Sequence, residues 1–430
     1  MGLKEDMKAI SNQSRNSELG FIILFFITGF SIPFSYAFNS ICFGVLFLCS
    51  FVKFKKETYI SLFNKKHLVP LLFIVFFIIQ VVGMLYAYNF SRAFSNVTKN
   101  IVLLILPITF INLSESIDIQ KIKSSLYGLI VGITVIIASS YLNILKTILS
   151  GEHGLGSLVT YFVRKEFVKE AIIEIHPPYL ALLVIFAIVP IWKQKFPKNK
   201  KSRYLLLFCF LFALYSISSF MSFIILAILF VFYFVSLFKK QKRKHILIIS
   251  SIIAFCVVLL NNINYEESIK DFRGGSLFKR IEWSFLKGKL DTSRPENWRS
   301  VLSVSKNNIL IGIGSDGGMH ELQKYRNERS ESYINKHNAH NQYLEVLLRF
   351  GIIGLTVYLF LIYLLIITAL KSKDKTFGWF LIVFIVSCLV ESYLQRQIGL
   401  TFFVFYALMF NTFYKFEFSK TTHNEKSISA

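Results

Sequence analysis

The sequence predicts an all-α integral membrane protein of about twelve transmembrane helices with one large helical external loop. Three observations lead there: the composition, a serial run of apolar stretches, and basic residues gathered in the gaps between them. Of 430 residues, 54% are hydrophobic and 16% aromatic, whereas 17% are charged; soluble domains carry about a quarter charged residues. That much apolar surface needs lipid. Successive spans pack against one another in a solvent as apolar as themselves, so residues 1–430 are expected to form a single polytopic membrane domain.

The apolar runs place spans near residues 20–34, 37–52, 68–88, 93–112, 125–147, 176–192, 204–217, 219–238, 245–262, 341–369, 376–391 and 398–414. The unbroken run from Tyr204 to Phe238 is too long for one span without extreme tilt and divides near Ser218-Ser219.

A net charge of +23 could suggest nucleic acid, but the Lys and Arg residues sit between apolar runs, most densely over Lys193–Arg203 and Lys239–Lys244. That is the pattern of cytoplasmic anchors, and it excludes nucleic acid as the partner. Both termini are then cytoplasmic, and two long segments, 150–175 and 264–340, face outward. Long external segments are where sites tend to sit, and the second, with nearly balanced charge, is expected to fold as amphipathic helices over the bundle mouth. All five cysteines lie in apolar runs, where a thiol acts as a small hydrophobe, so no structural disulfide is expected. Ser35-Tyr36-Ala37 weakly resembles a signal-peptidase site, but the spans that follow favour an uncleaved anchor. Neither nucleotide-binding glycine loop is present, and Gly312-Ile313-Gly314 lacks a third glycine.

The most informative stretch holds Arg294-Pro-Glu-Asn-Trp298-Arg299, then Asn308-Ile-Leu-Ile-Gly312-Ile-Gly314, then His337-Asn-Ala-His340-Asn341-Gln-Tyr343-Leu-Glu345, and closes on Gly351-Ile-Ile-Gly354. It resembles the O-antigen ligase and polymerase family, whose external loop carries an Arg upstream of a Trp, an aliphatic-Gly-x-Gly turn, and a His-Asn pair followed by Gly-x-x-Gly. Glu391-Ser-Tyr-Leu-Gln-Arg396-Gln397 and His176-Pro-Pro-Tyr179 are weaker parts of the likeness. The resemblance implies a GT-C-like, metal-independent and cofactor-free glycosyltransferase of the bacterial inner membrane. Its donor would be a polyprenyl diphosphate-linked glycan and its acceptor the lipid A core oligosaccharide or another glycan.

His340 is the expected acid-base residue. Asn338 can cap a helix beginning at Ala339, which puts His340 in a first turn whose positive end favours a neutral, proton-accepting imidazole; otherwise it is an interfacial histidine bonded to a neighbour. Arg294 is set against the diphosphate, because a guanidinium forks onto phosphate oxygens; pairing with Glu296 or Asp291 is its structural alternative. Loss of a diphosphate without metal needs a second cation, for which Arg164 and Lys165 are candidates, the alternative being interfacial anchors. Arg396, at an external span boundary, is expected to point into the bundle cavity, the alternative being that it snorkels. Asn341 and His176 complete the substrate-binding candidates, although His176 also reads as packed interfacial histidine. Gly351 and Gly354 are expected to permit close helix packing. His337-x-x-His340 with Glu345 or His320 could suggest zinc, but no carboxylate stands in a zincin position.

Besides lipid A core ligation, the same motifs fit an O-antigen or capsule polymerase and a protein O-oligosaccharyltransferase. Outside catalysis, a polysaccharide transporter or flippase would share the span number. The chain lacks the paired repeats and charged midplane helices of transporters.

Overall fold

The computed structural model describes residues 2–60, 62, 66–151, 175–217, 225–226, 293–372 and 374–428. Among them every regular element is a helix and none is a strand. In chain order these are α1 (Gly2–Ser31), α2 (Tyr36–Ser50), α3 (Lys56–Ile60), α4 (Leu68–Leu85), α5 (Phe90–Lys99), α6 (Val102–Asn112), α7 (Ile119–Leu149), α8 (Pro177–Lys193), α9 (Lys200–Ile217), α10 (Ser293–Asn307), α11 (Met319–Gln323), α12 (Glu331–Ile334), α13 (Gln342–Ser372), α14 (Lys375–Ser387) and α15 (Gln397–Ile428).

Six segments among the described residues are long and apolar enough to cross a membrane: Tyr36–Lys53, Leu68–Leu85, Phe90–Asn112, Ile119–Leu149, Gln342–Ser372 and Gln397–Glu417. Ser17–Ser31, Pro177–Lys193 and Lys375–Ser387 are shorter apolar helices. The described residues are thus all-helical and of the multi-pass membrane type. Apart from residues 225–226, the spans expected over 219–238 and 245–262 lie outside the described residues, as do Arg164, Lys165 and the first part of the long segment at 264–292.

Side chains set the helix starts. Asp118 accepts the backbone N–H groups of Gln120 and Lys121, both at 2.9 Å, and opens α7. Pro177 and Pro178 occupy the first turn of α8, where their missing N–H groups cost nothing. Helices α1 and α7 run side by side through glycines. A Cβ on Gly128 would stand 2.0 Å from the Phe26 carbonyl oxygen, and one on Gly29 2.1 Å from that of Ser125; small residues let backbones approach this closely in lipid. Glu18 closes the same pair of helices with Lys121 at 2.6 Å. Helix α15 is the central post, with 89% of its apolar window buried, and Phe403 stacks on Phe384 of α14 at 4.0 Å.

Above the bundle, α10, α11 and α12 form a helical cap over the first turns of α13. Val301, Val304, Leu322, Ala339 and Leu348 make its own small apolar core.

Candidate functional site

Two glycine motifs fix the frame of the site. Gly351 takes φ 60° and ψ −161° and breaks α13 into two helices, a conformation essentially reserved for glycine. Gly351 permits close packing as expected, here against the Leu310 backbone, and beyond that expectation it supplies the break. The break frees backbone groups that the Gly312-Ile313-Gly314 turn takes up. Ile313 and Gly314 donate to the carbonyls of Leu348 and Arg349 at 3.0 and 2.9 Å, while Ile352 and Ile353 donate to those of Ile309 and Leu310 at 2.8 and 3.3 Å. The turn is tied to α4 as well, with Ser315 N–H on the Gly83 carbonyl at 3.0 Å. Arg349 reaches Glu345 at 2.7 Å and the Ser315 carbonyl at 3.1 Å. Glu345 in turn accepts the Ala339 N–H at 3.1 Å.

This frame delivers His340. Helix α13 begins at Gln342, not at Ala339, and Asn341 caps it by accepting from Tyr343 and Leu344 at 3.0 and 3.1 Å. His340 therefore precedes the helix, in a left-handed conformation with φ 44°, where a non-glycine residue costs about 1–2 kcal/mol. Its own N–H is held by the Asn338 side chain at 2.9 Å. The carbonyl of Ala339, next door, accepts the Trp298 indole N–H at 3.0 Å.

The partner of His340 is Glu391, whose Oε2 lies 3.2 Å from Nδ1. The side chain of Glu391 is 8% exposed and that of His340 25%, so the carboxylate is enclosed while the imidazole opens outward. Burial alone would raise the Glu391 carboxyl. The bond and charge of His340, the Ser392 N–H and the charge of His176 outweigh it and hold the group below its ordinary range. Sequence reading quoted Glu391 in a motif and gave it no role. The signal was there, since it is an acidic residue at the end of an apolar span.

The remaining described candidates gather on the same patch. Arg294 is half-buried and lies one turn before Trp298 on α10, hence on the same face. Burial first, then Glu391 and Cys388, push the Tyr393 phenol well above its usual value, and the charge of Arg294 opposes them. Tyr393 donates to the Pro178 carbonyl and Tyr179 to the Ser392 carbonyl, each at 3.1 Å. The ring of His176 meets that of Tyr179 edge-on at 6.0 Å. Arg396 is exposed, with its guanidinium 5.7 Å from the Tyr179 ring centroid. Asn341 is engaged as the cap and donates to the Leu389 carbonyl at 3.0 Å.

The four histidine and glutamate positions weighed for zinc part company. His337 meets His340 ring to ring at 5.2 Å, but His320 stacks on Tyr88 at 4.4 Å and Glu345 is bound to Arg349. Among the described residues no three His, Cys, Asp or Glu side chains are grouped to hold a metal ion.

The family model of the O-antigen ligases matches residues 204–359, the stretch that contains Arg294, Trp298, both glycine motifs and His340. The match supports the O-antigen ligase family, a family of glycosyltransferase type acting on polysaccharide and lipid-linked substrates. No curated protein matches the chain.

Proposed function

We propose that this chain is an inner-membrane glycosyltransferase of the O-antigen ligase type, moving a glycan from a polyprenyl diphosphate carrier to the lipid A core oligosaccharide at the external face. The observation that carries the reading is His340. A residue of the family motif is held in a costly backbone conformation, open on one side and backed by a buried carboxylate. Strain of this kind survives where the surroundings over-determine it, and it clusters at working sites.

His340 takes the proton of the acceptor hydroxyl, or orients that hydroxyl, through the ring nitrogen turned away from Glu391. The acceptor oxygen bonds to the anomeric carbon as the bond from that carbon to the phosphate oxygen breaks. The electron pair leaves with the polyprenyl diphosphate, and the anomeric centre inverts. Arg294 holds the departing diphosphate, seconded by Arg396 or by Arg164 and Lys165, since guanidinium groups match phosphate oxygens. Asn341 and His176 border the acceptor. No cofactor is needed, because the donor already carries an activated leaving group.

The glycan profile of a deletion strain tests the reading. Free lipid A core beside accumulated long polymer is the expected result. Core carrying a single repeat would make the chain a polymerase, and undiminished ligation would exclude both.

A further inference from the structure

We propose that Glu391 is the positioning residue of this site: it accepts the His340 Nδ1–H and so leaves Nε2 as the nitrogen offered to the acceptor hydroxyl. The inference rests on the reading of His340 given above and gives the carboxylate beside it a role of its own.

The geometry divides the carboxylate between two tasks. Oε1 accepts the Ser392 N–H at 3.0 Å, which fixes the group against its own backbone. Oε2 is left for the imidazole at 3.2 Å. The two segments that carry the pair are stitched together on both sides of it. Gln342 N–H donates to the Cys388 carbonyl at 2.8 Å, Asn341 Nδ2 to the Leu389 carbonyl at 3.0 Å, and Leu394 N–H to Gln342 Oε1 at 2.8 Å. The two segments that carry the imidazole and the carboxylate thus cannot separate without breaking these hydrogen bonds. An ionised carboxylate, being an acceptor only, can bind the ring nitrogen only if that nitrogen carries the proton. In a neutral imidazole the other nitrogen is then the base. When His340 takes a proton, the same carboxylate lies beside the charge that forms.

The other titratable and charged groups around the pair do not replace Glu391. From the segment of His340, the His337 ring meets it edge-on, and Glu345 is engaged with Arg349. From α8 come His176 and Tyr179, from α10 Arg294, and from the segment of Glu391 itself Cys388, Tyr393 and Arg396. Among these described groups, Glu391 is the one carboxylate bonded to the His340 ring.

The experiment uses purified full-length protein in nanodiscs, a polyprenyl diphosphate-linked oligosaccharide as donor and core-only lipopolysaccharide as acceptor. Glu391→Gln keeps the shape and loses the charge. Its kcat is expected to fall by about a hundredfold with KM for donor and acceptor little changed. Its pH–rate profile is expected to differ in shape from that of wild type, because the group beside the imidazole no longer ionises. Glu391→Asp should recover part of the rate. Should Glu391→Gln fold poorly, nitrogen-15 NMR of histidine-labelled wild type, assigned by difference from His340→Gln, gives the tautomer directly. A proton on Nδ1 is expected, and a proton on Nε2 of the neutral ring overturns the proposal. So does a Glu391→Gln variant with wild-type kcat and an unchanged pH–rate profile. If that variant is silent while His340→Ala abolishes transfer, the role of Glu391 fails and the site stands. If both are silent, the site itself is wrong.

Discussion

Trp298 donates its indole N–H to the carbonyl of Ala339 at 3.0 Å, one residue before His340. The tryptophan of the cap helix thereby holds the peptide from which the histidine is presented. Trp298→Phe keeps the ring and removes the donor, leaving a carbonyl without its partner beside the buried Ala339. A loss of about 1–3 kcal/mol in stability is expected, with a fall in transfer rate larger than any change in donor binding. Thermal unfolding and steady-state kinetics on the same preparation check it. Wild-type values in both would reduce the bond to an incidental contact.

His340 and Arg294 should separate chemistry from binding. His340→Ala is expected to bind a polyprenyl diphosphate normally while transfer drops by about a hundredfold or more. Arg294→Lys keeps charge but loses the planar fork, so it should impair transfer, and Arg294→Ala should also weaken donor binding. Wild-type transfer by both His340→Ala and His340→Gln would make the motif structural.

Gly351→Ala should be among the most damaging single-methyl changes in the molecule. Its Cβ would lie 2.2 Å from the Leu310 carbonyl oxygen in a backbone conformation that L-residues avoid. Strain alone costs about 1–3 kcal/mol, and the clash adds to it. A lower Tm and a poor yield of monodisperse protein are expected. A variant as stable as wild type would mean that the break in α13 is not required.

Glu391 also gives stability a pH dependence whose sign is fixed. Its folded pKa is depressed below the ordinary value of 4.5. Its contribution is therefore complete above that value and is lost as pH falls toward the folded pKa. Between pH 6 and about pH 3, the Tm of wild type should decline more steeply than that of Glu391→Gln. Parallel curves would show that the carboxylate titrates alike in both states.

The topology is open to a direct measurement. With both termini cytoplasmic, a cysteine placed at Ser330 in the cap should react with an impermeant thiol reagent in intact spheroplasts. Protection there, with labelling only after lysis, would reverse the orientation.

Much of the bundle was legible because a span is a long apolar run, a property local in sequence. The helices over Leu68–Leu85, Ile119–Leu149 and Gln397–Glu417 stand where such runs placed them. The expected span at 93–112 is less simple, since α5 and α6 part at Asn100, whose amide is held by Gln80 at 2.6 Å. A polar residue paired across helices leaves no mark in a hydropathy pattern. The same holds for the site. The His340 motif was readable as local spacing, but its Glu391 partner lies 51 residues away, and the break at Gly351 depends on carbonyls offered by another segment. One glycine inside an apolar helix reads as packing until the chain that crosses it is known.

The glycine contact between α1 and α7 bears on how the chain is made. Helix α1 emerges from the ribosome well before α7: Glu18 and Lys121, which close that contact, are 103 residues apart. Until α7 is synthesised, Gly29 lacks the Ser125 backbone it packs against. The last helix, α15, then reaches the middle of the finished bundle, where the Tyr406 hydroxyl donates to the Ser125 carbonyl of α7 at 3.2 Å. Because α15 follows both helices in the chain, its buried side chains can meet their partners on α7 only after the contact between α1 and α7 has been made.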